Sequence, residues 1–469
     1  MRGYLRYLCL CLASFNVITS PATAKVTLPA IFNHHMVLQQ NSEIVLWGWA
    51  KPLEEVTVIA SWNRQALQTK ADNHANWRVQ LNTPPAGGPY SLIIMGHNTI
   101  ILEDVLVGEV WLCSGQSNME WPAGAGIDNA AQEIQDANYP DIRFFQVTHK
   151  SADVRQLDLD GQWTICTPQT MKDFSAVGYF FGRELFESLN VPIGLINSSW
   201  GGTPAEAWLN PAVVSTNEEF AGSAAKFTDV PWCPVESGSA YHAMIAPLIP
   251  YQIAGVIWYQ GETNTLNPAE YRRLFPALME SWRKEWGKDF PFYYVQIAPY
   301  KYGRSNEGVL LRESQLMSMS VPNTGMVVTS DIGNIDDIHP RNKHDVGERL
   351  ANWALARAYG KEGITFSGPV YREMKTEGEK IRLFFDFAEH GLQRKGEKLT
   401  HFQIAEKDRK FVDAETEIDG NTVVAYASAV KNPVAVRFAW SNTAEPNLFN
   451  TEGLPASCFR TDDWAIKLE

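Results

Sequence analysis

Four short segments of the sequence carry side chains that could do chemistry: GQSNM (115–119), SSWGGTPAEAW (198–208), WYQGETN (258–264) and DDIHP (336–340). Between them they hold a serine, paired glycines, amides and an Asp/His pair, which are the parts needed for acyl transfer. Ser117 is the candidate nucleophile, because it follows an apolar strand and precedes a predicted helix. Backbone N–H groups are unpaired at such a point and face incoming negative charge. A serine hydroxyl is weakly nucleophilic at neutral pH and needs a base. His339 is the candidate base, and Asp336, three residues earlier, is the carboxylate expected to orient it. Asp337 is expected to point elsewhere, and Ser114 to sit inside the strand end. The competing explanations are a helix N-cap for Ser117 and a solvated acidic loop for 336–340. A metal site from Asp336, His339 and His344 is a further alternative. Gly201 and Gly202 permit close backbone approach. One of their N–H groups, with that of Ser117 and an amide from Gln260 or Asn264, could stabilise an oxyanion. Glu262 is expected to support its loop.

Elements must bring these segments together. From about residue 107 strand-like and helix-like stretches alternate. VGEVWLCSG, VPIGLINSS, IAGVIWYQG, FPFYYVQIAP and GMVVTSDIG read as strands. FSAVGYFFGRELFESL, AEYRRLFPALMESWRKEWG (with an internal proline expected to kink it), GVLLRESQLMSMS and KHDVGERLANWALARAYG read as helices. This rhythm predicts a parallel sheet covered on both faces, whose strand C-terminal ends converge at one edge. Residues 25–106 are β-prone runs between turn formers and predict a small sandwich. After residue 362 the chain turns β-like again. The expected organisation is therefore α/β, with a catalytic domain over 107–362 flanked by β domains at 25–106 and 363–469.

Length and composition narrow the function classes. The chain has 469 residues, 45% hydrophobic and 20% charged, which suits a globular protein of more than one domain. Its formal net charge of -13 is unlike a nucleic-acid footprint. Arg2 and Arg6, an apolar run and Ala22-Thr23-Ala24 have the layout of a secretory signal cleaved near Ala24, with Lys25 as the mature start. Export to the periplasm or outside the cell would permit disulfides, but the pairing of Cys113, Cys166, Cys233 and Cys458 is not legible. The 16 tryptophans could serve as sugar platforms or as core.

GQSNM, WGGTPAEAW, WYQGETN and D-x-x-H, in this order, resemble the conserved blocks of the SGNH hydrolase superfamily and, within it, the sialate O-acetylesterase family. IFNHHMVLQQ with VLWGWA resembles that family's N-terminal β domain, and VRFAWSNTAEPNLFNTEGLPASCFRTDDW its C-terminal end. The resemblance implies a three-layer α/β/α fold and a Ser117–His339–Asp336 triad. It also implies an oxyanion hole from the N–H of Ser117, a glycine N–H and an amide side chain. The superfamily's G-x-N block here reads Q-G-E-T-N; Gln260 is favoured over Asn264, and Gly202 over Gly201. No metal or organic cofactor is implied. The implied substrates are O-acetylated sialic acids, with acetylxylan or another acetylated glycan as the alternative. Trp121, Trp200 and Trp208 could stack on a sugar or simply pack in the core, and Arg304 and Arg341 could meet a sialate carboxylate. A non-catalytic glycan-binding protein and a secreted protease are the competing functions.

Overall fold

The computed structural model describes residues 25–468. The signal segment expected at 1–24 lies outside them. The organising element is one long strand, Thr99–Gly115. Its second half, VLVGEVWLCSG, is buried at every position, as a strand covered on both faces must be. Parallel neighbours flank that half, Ile193–Ser199 on one side and Gly255–Tyr259 on the other. Phe292–Val295 and Thr324–Val327 extend the sheet beyond the latter, and Tyr139–Gln146 beyond the former, all parallel. Trp163–Cys166 closes that edge antiparallel. This last pair of strands was not anticipated from sequence.

Successive side chains of these strands point to opposite faces, and two cores result. Trp111, Cys113, Ile257, Tyr259 and Tyr293 pack with Phe180, Phe181 and Leu185 of helix Ala176–Leu189 and with Val346 and Leu350 of helix Lys343–Trp353. Val110, Leu112, Trp258, Phe292 and Tyr294 pack against Leu274, Phe275, Leu278 and Trp282 of helix Pro268–Trp286. That segment is a single helix with Pro276 inside it. The arrangement is the expected α/β/α sandwich. Ser199 and Tyr259 both lie in register with Gly115, so the three central strands end level and their loops share one edge.

The first half of Thr99–Gly115 belongs to the N-terminal β unit, pairing antiparallel with Gly87–Met95. That sheet faces the antiparallel strand pair of Glu43–Trp49 and Asn76–Asn82 across a core that includes Leu46, Val58, Leu81 and Ile94. The chain thus passes from one unit to the next inside a strand, with no linker at 106/107. The C-terminal unit has its own core of Ile381, Leu383, Phe402, Phe438 and Phe459. It is fastened to the central unit by polar contacts. Gln296 Nε2 donates to Ser457 Oγ at 2.9 Å, Asn442 Nδ2 to the Arg304 carbonyl at 2.8 Å, and Arg460 pairs with Glu313 at 2.7 Å. Cys113, Cys166, Cys233 and Cys458 are all buried free thiols. No helix among the described residues is long and apolar enough to cross a membrane.

Candidate active site

The Ser117 turn begins at Gly115, whose φ of +135° and closeness to the Tyr259 carbonyl exclude any Cβ; one placed there would lie 2.2 Å from that oxygen. The chain then turns through Gln116 into a single helical turn, Ser117–Glu120. Ser117 is the first residue of that turn and not its cap; Gln116 occupies the cap position and makes no side-chain cap bond. The Ser117 hydroxyl instead meets His339 Nε2 at 2.9 Å. A structural cap is therefore not the reason for this serine.

His339 is half-buried and stacked on Trp121, with ring centroids 4.4 Å apart and 20° between planes. Burial lowers its pKa, and the nearby Lys343 ammonium lowers it further, against a smaller upward pull from Asp337. The imidazole is thus neutral at neutral pH and free to accept a proton.

Asp336 is not its partner. The 334–337 turn is closed by Asn334, which accepts the N–H of Asp336 at 2.9 Å through its side chain and that of Asp337 through its carbonyl. This turn sends the Asp336 carboxylate outward to an ion pair with Lys301. Asp337 folds back instead. Its carboxylate accepts the backbone N–H of His339 at 2.9 Å and lies 4.0 Å from Nδ1. The sequence points to Asp336 and away from Asp337, because spacing alone does not say which carboxylate a tight turn directs inward. The proposed metal trio is dispersed as well: Asp336 faces Lys301, His339 faces Ser117, and His344 pairs with Asp345 at 3.2 Å.

Beneath the turn lies a buried polar layer. Asn118 donates to Glu262 Oε1 at 2.6 Å and to the Ile338 carbonyl at 2.9 Å, and accepts from Lys343 Nζ. Asn118 thereby ties the Ser117 turn to the residue beside His339. Glu262 supports this layer, as expected of it. Burial raises the Glu262 pKa and pushes the Lys343 ammonium down to about 7.

The family model for carbohydrate esterases described as sialic acid-specific acetylesterases matches residues 107–356. The sialate O-acetylesterases of Homo sapiens and Pongo abelii are each 33% identical over 457 residues, covering 87% of this chain and 86% of theirs. This chain belongs to the sialic acid-specific acetylesterase family of carbohydrate esterases. It is a carboxylic-ester hydrolase with the SGNH-type fold. A crystal structure of a carbohydrate acetylesterase from Xanthomonas citri covers 94% of this chain and 100% of its own length, at 40% identity and a TM-score of 0.86.

Within this acetylesterase the expected amide donors are engaged elsewhere. Gln260 is fully buried; its Nε2 donates to Asn264 Oδ1 at 2.6 Å and to the Thr203 carbonyl, and its Oε1 accepts from Tyr271. Asn264 donates in turn to Glu206 Oε2 at 2.9 Å and to Asn267. Both amides belong to a polar core below the loop and do not face Ser117. The Gly201 N–H donates to Glu120 Oε2 at 2.6 Å. The N–H groups of Ser117 and Gly202 have no hydrogen-bond partner among the described residues. Gly202 reaches its position with φ +84°.

The aromatic and cationic candidates divide in the same way. Trp121 is at the site. Trp208 is fully buried and donates to Thr203 Oγ1 at 2.7 Å, so it is core. Arg304 is held by Glu307 and the Thr265 carbonyl. Arg341 is exposed beside Gly126 and makes no ion pair among the described residues. Two side chains escaped sequence reasoning. His149 pairs with Glu120 at 2.8 Å and stacks on Trp200 at 4.5 Å, and Trp232, 65% exposed, stands over Gly202. The hydrogen bond to Glu120 raises the His149 pKa. Neither residue sits in a motif; only the fold carries those loops to the sheet edge.

Proposed function

We propose that the protein removes O-acetyl groups from sialic acids by serine acyl transfer. The observation that carries the reading is the 2.9 Å contact between Ser117 Oγ and His339 Nε2 at the sheet edge, with the backbone N–H groups of Ser117 and Gly202 without partners among the described residues. His339 accepts the Ser117 proton as Oγ attacks the acetyl carbonyl. The N–H groups of Ser117 and Gly202 hold the resulting oxyanion. The intermediate collapses, the C–O bond to the sugar breaks, and the sugar oxygen takes the proton from His339. Water, giving its proton to His339, then attacks the acetyl-serine. The acetate leaves and the serine regains its proton. Asp337 orients His339 through the backbone bond and favours the imidazolium electrostatically.

The unpaired Arg341 guanidinium supports a substrate with a carboxylate. The half-exposed rings of Trp121 and Trp200 suit a sugar face of any charge, which supports an acetylated neutral glycan such as acetylxylan as the second reading. Export after cleavage near Ala24 belongs to the same proposal. An N-terminal mass measurement on the exported protein is expected to start at Lys25, and a retained leader would refute it.

Acetate release from O-acetylated sialoglycan and from acetylated xylan, with Ser117→Ala in parallel, tests the function. Release by wild type alone, faster from the sialoglycan, is expected. Equal release by the variant would remove Ser117 from the chemistry. Preference for xylan would transfer the assignment to the second reading.

A further inference from the structure

A cleft of about 730 Å³ lies away from Ser117, between the N-terminal strand pair Glu43–Trp49 and Asn76–Asn82 and the central unit. Its floor is the outward face of the Glu43–Trp49 strand. Strand alternation puts Ile44 and Leu46 in the core and leaves Val45, Trp47 and Trp49 half-buried on the other face. Trp47 is in register with Arg78 on the partner strand, and Trp49 with Asn76. The walls come from Lys70, from Pro247 and Pro250, and from the 155–157 segment with Arg155 and the 67% exposed Leu157.

Two features of this cleft point to one ligand class. Two tryptophans two residues apart on a sheet face project in the same direction and offer flat apolar surfaces. Three cations, Lys70, Arg78 and Arg155, line it in a protein whose formal net charge is -13. Lys70 and Arg78 make no ion pair among the described residues, and Arg155 is paired to Glu285 at 3.2 Å. The lining carboxylate is Asp72, which accepts the backbone N–H groups of His74 and Asn76 at 2.8 and 2.9 Å and so closes its own turn. Unpaired cations beside aromatic faces fit a pyranose ring that carries a carboxylate.

We infer that this cleft is an accessory binding site for acidic oligosaccharide, separate from the esterase centre. The inference rests on the carbohydrate-ester reading only for the choice of sugar as ligand. The segment 149–157 links the two places. His149 bonds Glu120 at the active site, and Arg155 is six residues further on, so their Cα atoms are within about 22 Å of each other. A glycan of several units can occupy both places at once. Anchoring in the cleft then raises the effective concentration of acetyl groups near Ser117.

Calorimetry on full-length Ser117→Ala, which binds without turnover, tests the site directly. The probes are a sialic acid tetramer, an oligogalacturonate and xylohexaose. Binding of at least one acidic oligomer, at least about 10-fold tighter than xylohexaose and weakening with salt, is expected. Which acidic oligomer binds identifies the sugar. Adding Lys70→Gln and Arg78→Gln is expected to weaken acidic binding by about 10-fold with an unchanged melting temperature, and Trp49→Ala to weaken it similarly. Equal affinity for xylohexaose, no binding of any probe, or no response to the two Gln substitutions would overturn the inference. In the active protein the Lys70/Arg78 double variant is expected to raise KM for a polymeric acetylated acidic glycan about 5-fold and to leave 4-nitrophenyl acetate hydrolysis unchanged. Failure of all ester hydrolysis would refute the esterase reading while leaving the calorimetric result to stand by itself.

Discussion

The loops 334–339 and 260–264 both leave the C-terminal edge of the central sheet, and both are rich in groups that could serve catalysis. They end in opposite roles. The first is a tight surface turn that leaves His339 with one ring nitrogen against Ser117 and, among the described residues, no carboxylate within hydrogen-bond distance of the other. The second is buried, and its amides satisfy one another and Glu206, whose pKa is raised by burial. A buried amide must find partners within the protein, so Gln260 and Asn264 are consumed by structure. A half-exposed imidazole can remain available to substrate. Chemical competence at this sheet edge follows from what each group is left free to do.

The largest effect that can test this contrast is on turnover. Ser117→Ala and His339→Ala are each expected to lower kcat by at least about 10³-fold, with melting temperatures near wild type. Residual activity within about 10-fold of wild type in either would dissolve the contrast. On the other loop the signature reverses. Asn264→Ala is expected to cost about 2–3 kcal/mol of stability, because it strands buried polar groups, and to spare most of kcat below the melting transition. A loss of about 10²–10³ in kcat at unchanged stability is what an oxyanion donor would show instead.

Smaller effects sharpen the reading of the first loop. Asp337→Asn is expected to reduce kcat/KM by about 10-fold through misplacement of His339, and Asp336→Asn by less than about 3-fold, since it breaks only an exposed ion pair. The reverse order would show that the 334–337 turn rearranges when substrate binds. The smallest expected effect is on the pH profile. His339 must be neutral to act, so activity falls as pH drops through its lowered pKa. Lys343 opposes the imidazolium, and Lys343→Met therefore moves that acid limb to higher pH. An acid limb that stays in place would separate Lys343 from the catalytic base.

Much of this organisation was legible in the sequence. The Ser117 and His339 segments, the strands ending at Gly115, Ser199 and Tyr259, and the helices at 176–189 and 343–353 all follow from apolar period and from turn chemistry, which are local properties. The sequence leaves Trp208 open between sugar platform and core, because a tryptophan next to a glycine-rich loop reads the same either way; the structure places it in the core. The short helices Pro211–Ser215 and Glu218–Ala224 were missed because they are too brief to show a period. By itself, then, the sequence determined the segments that carry Ser117 and His339 and the sheet edge that brings them together, because strand termini and motif residues are coded side by side. Only the tertiary structure decided which carboxylate faces His339, which N–H groups stay unpaired, and that His149 and Trp232 stand at the same mouth. Those outcomes depend on hydrogen-bond competition among groups far apart in the chain, and no local pattern records who wins it.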